Sequence, residues 1–331
     1  MVAIEETLGQ MEKVPETPHN IYDILIIGAG PAGMSAAVCA SRANMNVLLI
    51  EKAMPGGETS ISYKIDNYLG FPKGITGDSL GKRMEEQLFE YNVTYIREDV
   101  TEIRNIRKEE KTVITDMGTE FKTKAILYAV GLEPKPLGTD FERQFLGRGI
   151  SYYAQCDASR YEGKDVAVVG GGNCACYAAE YLSDYVNKLY IIHRSDFIKA
   201  VRSLKDRVLN NPKIVIMWDS EIEEVFGIDK VEKIKVRNTR TNQYTWIDTK
   251  GIFVNSGRIP PKELLGNTVN VDESGFIVTD EYMRTNVPGV YAAGDIRAKQ
   301  IRQIATAVSD GMIASINIER DIYRNQFHSR A

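Results

Sequence analysis

Cys156 and Asp157, in the stretch SYYAQCDAS (residues 151–159), set a thiol beside a carboxylate. Once deprotonated, such a thiol is a nucleophile and a redox centre, and the adjacent acid can carry a proton. A dithiol that cycles through a disulfide needs a second sulfur, and three positions upstream the chain has Tyr153 instead. A phenol forms no disulfide, so the internal relay lacks half its atoms. Cys174 and Cys176 stand two positions apart on one helix-forming stretch, where side chains do not face each other. They read as small packing residues, and Cys39 as a residue on the packed side of an earlier helix. Cys156 keeps two readings: an inert thiol, or a single sulfur cycling through sulfenic acid or a mixed disulfide.

A second chemistry lies in two glycine turns. Residues 22–51, YDILIIGAGPAGMSAAVCASRANMNVLLIE, run from an apolar strand (24–27) through Gly28, Gly30 and Gly33 into a small-residue helix. A second strand (47–50) follows and ends at Glu51. Gly28 permits the tight turn, Gly30 lets backbone approach a pyrophosphate, and Gly33 lets helix and strand pack closely. The pyrophosphate then meets the free N–H groups of the helix N-terminus, and Glu51 can accept from an adenosine ribose.

Residues 165–194 repeat the pattern with Gly170, Gly172 and Ala175 at the turn. The spacing that places Glu51 in the first copy places His193 in the second, followed by Arg194. A carboxylate there repels a 2′-phosphate, whereas Arg grips one through charge-assisted contacts, so this copy leans towards NADP(H). A solvated His-Arg pair at a strand end is the alternative.

The elements around these turns complete two α/β layers. KAILYAVG and GIFVNSG are apolar strands ending in glycine, suited to packing against a cofactor. VPGVYAAGD leads a strand into Gly294 and Asp295, where a carboxylate can bind a ribityl hydroxyl. The following stretch has apolar residues at helical spacing from near Arg302, and a helix N-terminus there stabilises negative charge. A returning segment of this kind implies a discontinuous first domain with the second inserted into it.

Bulk composition excludes several classes. The 331 residues are 43% hydrophobic, with 41 basic against 45 acidic residues and a formal net charge of -4. No basic block favours nucleic acid or membrane. Four cysteines in this length are no secreted disulfide framework. The first twenty residues lack an apolar core of signal-peptide length, so a cytoplasmic protein is expected.

Assembled, GAGPAG, the GG…NYLGFP region (Gly56, Gly57, Asn67, Gly70, Phe71, Pro72), GGGNCA, HRSDFIKA, YAAGD and RQIATA make the chain resemble the low-molecular-weight thioredoxin reductases. The likeness runs from about Tyr22 to Tyr323. It implies two Rossmann-like domains of the three-layer ββα type, with an NAD(P)H-binding domain (134–255) inserted into an FAD-binding domain (21–133 and 256–331). A flexible extension is expected over 1–20. The resemblance implies FAD contacts from Gly28, Gly30, Gly33, Glu51, Lys52, Gly57, Asn67, Gly131, Gly294, Asp295, Arg302, Gln303 and Ile304. For NADP it implies Gly170, Gly172, Asn173, Ala175, His193, Arg194 and Lys199. No metal is implied. The cofactors are FAD and NADPH, with NADH as an alternative donor, and the usual assembly is a homodimer.

The family pattern SYCxxCD carries both redox cysteines. By the resemblance Cys156 corresponds to the flavin-side thiol, Asp157 to the acid–base group, and Tyr153 to the cysteine that attacks the protein substrate. The pattern HRRxxxR is reduced to HRSDFIK, with Ser195 and Lys199 in place of two arginines. The expected function is therefore an FAD-dependent oxidoreductase moving electrons between NAD(P)H and an external acceptor. It resembles ferredoxin–NADP reductases, whose partner is ferredoxin or another small redox protein. Those relatives often cover the flavin with a C-terminal ring, for which Phe327 and His328 stand available, but they also tend to carry an insertion after the GG turn that is missing here. The alternatives are a thioredoxin-disulfide or single-cysteine disulfide or peroxide reductase using Cys156, and a nucleotide-responsive flavoprotein without turnover.

Overall fold

The computed structural model describes residues 21–261 and 263–328, with side chains to Tyr323, and the chain divides into two compact units. The extension expected over 1–20 lies outside the described residues, as do the side chains of Phe327 and His328. The first unit takes the chain to Leu132 and resumes at Pro260; the second is Glu133–Ile259. The second unit thus begins at β7 (Glu133–Pro134) and ends at β16 (Arg258–Ile259), which pair antiparallel with each other. That pairing keeps residues 256–259, expected in the FAD-binding domain, with the inserted unit.

In the first unit β1 (Tyr22–Ile27) is the centre of a sheet ordered β3-β2-β1-β6-β5-β4. Its parallel neighbours are β2 (Val47–Ile50) and β6 (Glu120–Tyr128), with β3 (Thr94–Ile96) beyond β2. The first half of β6 also pairs antiparallel with β5 (Lys111–Thr115), and β5 with β4 (Val100–Arg104). Its second half takes β17 (Val290–Ala292) as a further parallel neighbour. One long strand therefore serves both the nucleotide sheet and a three-stranded meander, which gives the ββα layering.

Apolar residues lie on both faces of this sheet. Ile24, Ile26, Leu49 and Leu127 pack towards the helices α1 (Pro31–Arg42), α2 (Gly77–Phe89) and α7 (Ile304–His328), whereas Leu25, Ile27, Leu48 and Ile126 pack on the other side. Helix α7 lies directly on α1, because small residues let the two backbones meet. A Cβ on Gly311 would come within 2.0 Å of the Ala32 carbonyl oxygen, and Ser35 Oγ donates to Val308 O at 2.9 Å. This contact brings the C-terminal segment back to the first glycine turn. The helix begins at Ile304 rather than Arg302, since the Thr306 hydroxyl accepts the Gln303 N–H.

The second unit is built on a parallel sheet ordered β11-β10-β9-β15-β8. These strands are β8 (Ile150–Ser151), β9 (Asp165–Val169), β10 (Lys188–Ile192), β11 (Ile214–Met217) and β15 (Gly251–Val254). Helices α5 (Asn173–Ser183) and α6 (Arg202–Leu209) cover one face, joined by Ala154 and Ala158 of the short α4 (Ala154–Asp157) and the turn after it. The antiparallel meander β12 (Ser220–Phe226), β13 (Lys233–Asn238) and β14 (Tyr244–Asp248) covers the other, with α3 (Asp140–Phe145). No helix among the described residues is long and apolar enough to cross a membrane.

Candidate functional site: two nucleotide turns and a single thiol

Each glycine of the first turn does a separate job. Gly28 has φ +101°, and a Cβ there would meet Ala129 O at 2.6 Å, so the turn presses against the end of β6. At Gly33 a Cβ would strike Gly28 O at 1.8 Å, which fixes glycine where α1 crosses the strand. Gly30 is different: nothing lies within 4 Å of a Cβ there. Space stands open at the helix N-terminus, where Pro31 leaves no N–H to satisfy. Gly57 faces it, 3.4 Å from Gly30 Cα by the same measure, and Gly56 N–H donates to Ala29 O at 2.8 Å.

Glu51 closes the turn from the end of β2. Its Oε2 accepts the Ala29 N–H and its Oε1 the Ala53 N–H, both at 2.8 Å. The carboxylate is thereby oriented, and each oxygen keeps a lone pair for a ribose hydroxyl. Lys52 beside it is exposed. On the returning segment, Asn67 Nδ2 donates to Gln303 Oε1 at 2.9 Å, joining two residues far apart in the chain. Arg302 stacks 3.8 Å from the Phe276 ring centroid and donates to Asp295 O and Arg297 O, both at 3.0 Å. Ile304 opens α7 half-buried, and Gly131 ends the strand segment with φ +66° and open space.

Asp295 carries the clearest mark of a ligand. Its Oδ1 is buried without a hydrogen-bond partner, 3.7 Å from the Lys299 ammonium. Burial pushes its carboxyl above the ordinary range, and Lys299 and Arg302 pull it part of the way back. An orphaned carboxylate oxygen is costly unless something donates to it. Together with the cradle at Gly30, it fits the ribityl hydroxyls and pyrophosphate of FAD.

The second turn repeats the geometry. Gly170 has φ +137° and a Cβ would meet Asn255 O at 2.3 Å, Ala175 is fully buried, and Gly172 has open space at the start of α5. Asn173 caps elsewhere: its Oδ1 accepts the Val201 N–H at 2.9 Å, while Lys199 N–H donates to Gly171 O at 2.8 Å. These bonds fold the loop after β10 back over the turn. Arg194 and Lys199 are exposed on that loop, with Lys199 Nζ 5.7 Å from the Phe197 ring centroid.

His193 has a structural duty. The residue is 7% exposed, and its ring packs where a Cβ on Gly171 would reach 2.3 Å and hydrogen-bonds Phe197 O at 2.9 Å. It shapes the loop that presents Arg194. Sequence reasoning also missed Asn255, whose Nδ2 is buried and unpartnered beside Gly170; its place after the apolar run 251–254 is the only sequence signal.

Around the thiol, Ser151 Oγ donates to Asp157 Oδ2 at 2.6 Å and accepts the Tyr153 N–H at 3.0 Å. Arg160 pairs with Asp157 Oδ1 at 2.9 Å. Both Asp157 oxygens are thus engaged. Cys156 reaches solvent, yet desolvation and then the Asp157 charge push its thiol above the ordinary cysteine range. Cys176 is buried, its thiol pushed up to about 11, which suits packing. Cys174, expected to pack, is exposed instead, and none of the four cysteines is in a disulfide. Among the described residues no cluster of His, Cys, Asp and Glu is arranged to hold a metal.

Two ββα dinucleotide units with a thiol on the second define a flavin-dependent, pyridine-nucleotide-linked oxidoreductase. The chain belongs to the family described as pyridine nucleotide-disulphide oxidoreductase, whose pattern matches residues 22–311, and within it to the thioredoxin reductases, which use FAD and NADPH. It is 39% identical over 313 residues to a thioredoxin reductase of Peptoclostridium acidaminophilum, covering 93% of this chain and 99% of that one. Lactococcus lactis thioredoxin reductase superposes with a TM-score of 0.87 at 36% identity, covering 92% and 99%. A ferredoxin-flavin thioredoxin reductase from Clostridium acetobutylicum matches with a TM-score of 0.50 at 31% identity, covering 92% and 98%.

Proposed function

We propose that this flavoprotein moves electrons between NAD(P)H and an external one-electron carrier of the ferredoxin type, without an internal dithiol. The observation that carries the reading is Tyr153 at the place of the substrate-attacking cysteine, three positions before Cys156, whose thiol burial pushes above the ordinary cysteine range. The only flavin-specific chemistry required is the exchange between hydride and single-electron transfer.

The chain's own residues bind and orient. Gly28, Gly30 and Gly33 with the first turn of α1 hold a pyrophosphate, and Glu51 holds the adenosine ribose. Asp295, Gln303 and Ile304 hold the ribityl and ring end, where the α7 N-terminus faces developing negative charge. Gly170 and Gly172, with Arg194 and Lys199, hold the nicotinamide nucleotide. A homodimer is the expected assembly. The relative named for ferredoxin and flavin supports a ferredoxin-type partner, with electrons running in either direction.

Steady-state reduction of ferredoxin by NADPH tests this, beside thioredoxin-coupled disulfide reduction. Ferredoxin turnover that survives Cys156→Ser is expected. Thioredoxin turnover that Cys156→Ser abolishes would overturn it in favour of a mixed-disulfide mechanism, which the solvent exposure of Cys156 favours as the second reading.

A further inference from the structure

The loop that reads the nucleotide's 2′ position has lost one arginine to Ser195, yet a guanidinium stands on it from elsewhere in the chain. Arg240 lies in the turn between β13 and β14. Its Nη2 is 3.3 Å from Asp196 Oδ2, one residue beyond Ser195, and 3.2 and 3.1 Å from the two oxygens of Asp219. Asp219 N–H in turn donates to Ser195 O at 3.3 Å. We infer that Arg240 is a specificity-determining residue, the fork that distinguishes the 2′-phosphate of NADP(H) from the 2′-hydroxyl of NAD(H).

This rests on the reading of the second unit as the nicotinamide-nucleotide unit. The placement of Arg240 is built. Asn238 Nδ2 donates to Trp218 O at 3.1 Å, and Thr239 donates to Asp219 O through both its N–H, at 2.6 Å, and its hydroxyl, at 2.9 Å. The Asn238 side-chain oxygen takes the N–H groups of Arg240 and Thr241 at 3.1 and 2.9 Å. The hairpin turn is thus pinned to the corner between β11 and β12, the strand end next to Arg194. An exposed arginine held only by an ion pair would have no fixed place; here the backbone that carries it is fixed.

Both carboxylates meet a single guanidinium nitrogen, Nη2, and they are the cost of the arrangement. Asp196 and Asp219 balance Arg240 when no nucleotide is bound, and they compete with an incoming dianion. Arg194, Lys199 and Arg240 set against Asp196 and Asp219 leave a small positive balance, so discrimination for 2′-phosphate is modest and the loss of Arg240 removes that balance. A lysine at this place would supply charge without the fork.

The test is equilibrium binding of NADP+ and NAD+ to the oxidised FAD-loaded enzyme by calorimetry, for wild type, Arg240→Gln, Arg240→Lys and Asp196→Asn. Arg240→Gln is expected to weaken NADP+ about tenfold, as for one lost charge-assisted contact, and to leave NAD+ within about twofold. Arg240→Lys recovers part of the loss, and Asp196→Asn tightens NADP+ alone. The unchanged NAD+ affinity shows that the variant is folded. Equal weakening of both nucleotides, or of neither, sinks the role of Arg240 while leaving the donor reading intact. A wild type that binds neither nucleotide removes the donor reading and this inference with it.

Discussion

Asp310 accepts the backbone N–H of Gly294 at 3.0 Å, tying the second turn of α7 to the turn that carries Asp295. The same carboxylate takes Arg297 at 2.8 Å and Lys299 at 2.9 Å, and all three side chains are nearly buried. Breaking such a pair leaves two cations under-compensated in a poorly solvated place, at a cost on the order of 3–5 kcal/mol. Asp310→Asn is expected to lower the urea midpoint accordingly and to release FAD faster, read as recovery of free flavin fluorescence. An unchanged midpoint would show that the network is solvated.

Asp295 gives the flavin site a pH dependence. Burial raises its folded pKa above the unfolded value of about 3.9, so the apoprotein's stability from this group is complete below that value and is lost as pH rises through the folded pKa. A donor hydroxyl reaching its orphaned oxygen favours the ionised form. FAD affinity is therefore expected to rise with pH through the mildly acidic range, measured by flavin fluorescence quenching. The Asp295→Asn variant should bind more weakly and lose the slope. A slope that persists in the variant assigns the effect to another group.

Cys156 is expected to be a slow thiol. Burial, and then the Asp157 charge, raise its pKa and shrink its thiolate fraction, so iodoacetamide should label it more slowly than an ordinary exposed cysteine, with the rate still climbing past pH 9. Mass spectrometry of the labelled peptide reads this directly. Labelling that is fast and flat from pH 6 to 8 would instead mark an activated thiolate, and would move the balance towards the disulfide chemistry of the relatives.

The two turns were legible because their information is local: strand, spaced glycines, helix and terminal residue lie within a short run of sequence. The same is true of Tyr153 beside Cys156. What could not be read came from pairings distant in the chain. Nothing near Arg240 announces that β13 and β14 fold back over the loop after β10, and nothing near Asp310 announces that α7 lies on α1 and meets Gly294. His193 shows a different limit. Its position in the repeat was legible, but whether its ring turns outward to a phosphate or inward onto Gly171 depends on the loop closing through Phe197 and Lys199. The pairing of β7 with β16, at the two ends of the inserted unit, likewise joins segments far apart in sequence.

The glycines of the first turn separate folding from binding. Gly33→Ala places a methyl 1.8 Å from Gly28 O and 3.0 Å from its carbonyl carbon, backbone atoms that no side-chain rotation can move aside. The helix must move off the strand, and a loss of about 3 kcal/mol is expected with loss of FAD. Gly30→Ala meets nothing within 4 Å and has ordinary backbone angles, φ -74° and ψ -178°, so the fold should hold within about 1 kcal/mol. Yet its methyl occupies the space where the pyrophosphate approaches, so FAD affinity should fall steeply. Urea unfolding of the apoprotein and flavin titration, run on both variants, separate the two effects. A Gly30→Ala protein that stays yellow through dialysis would show that the open space is not the pyrophosphate's.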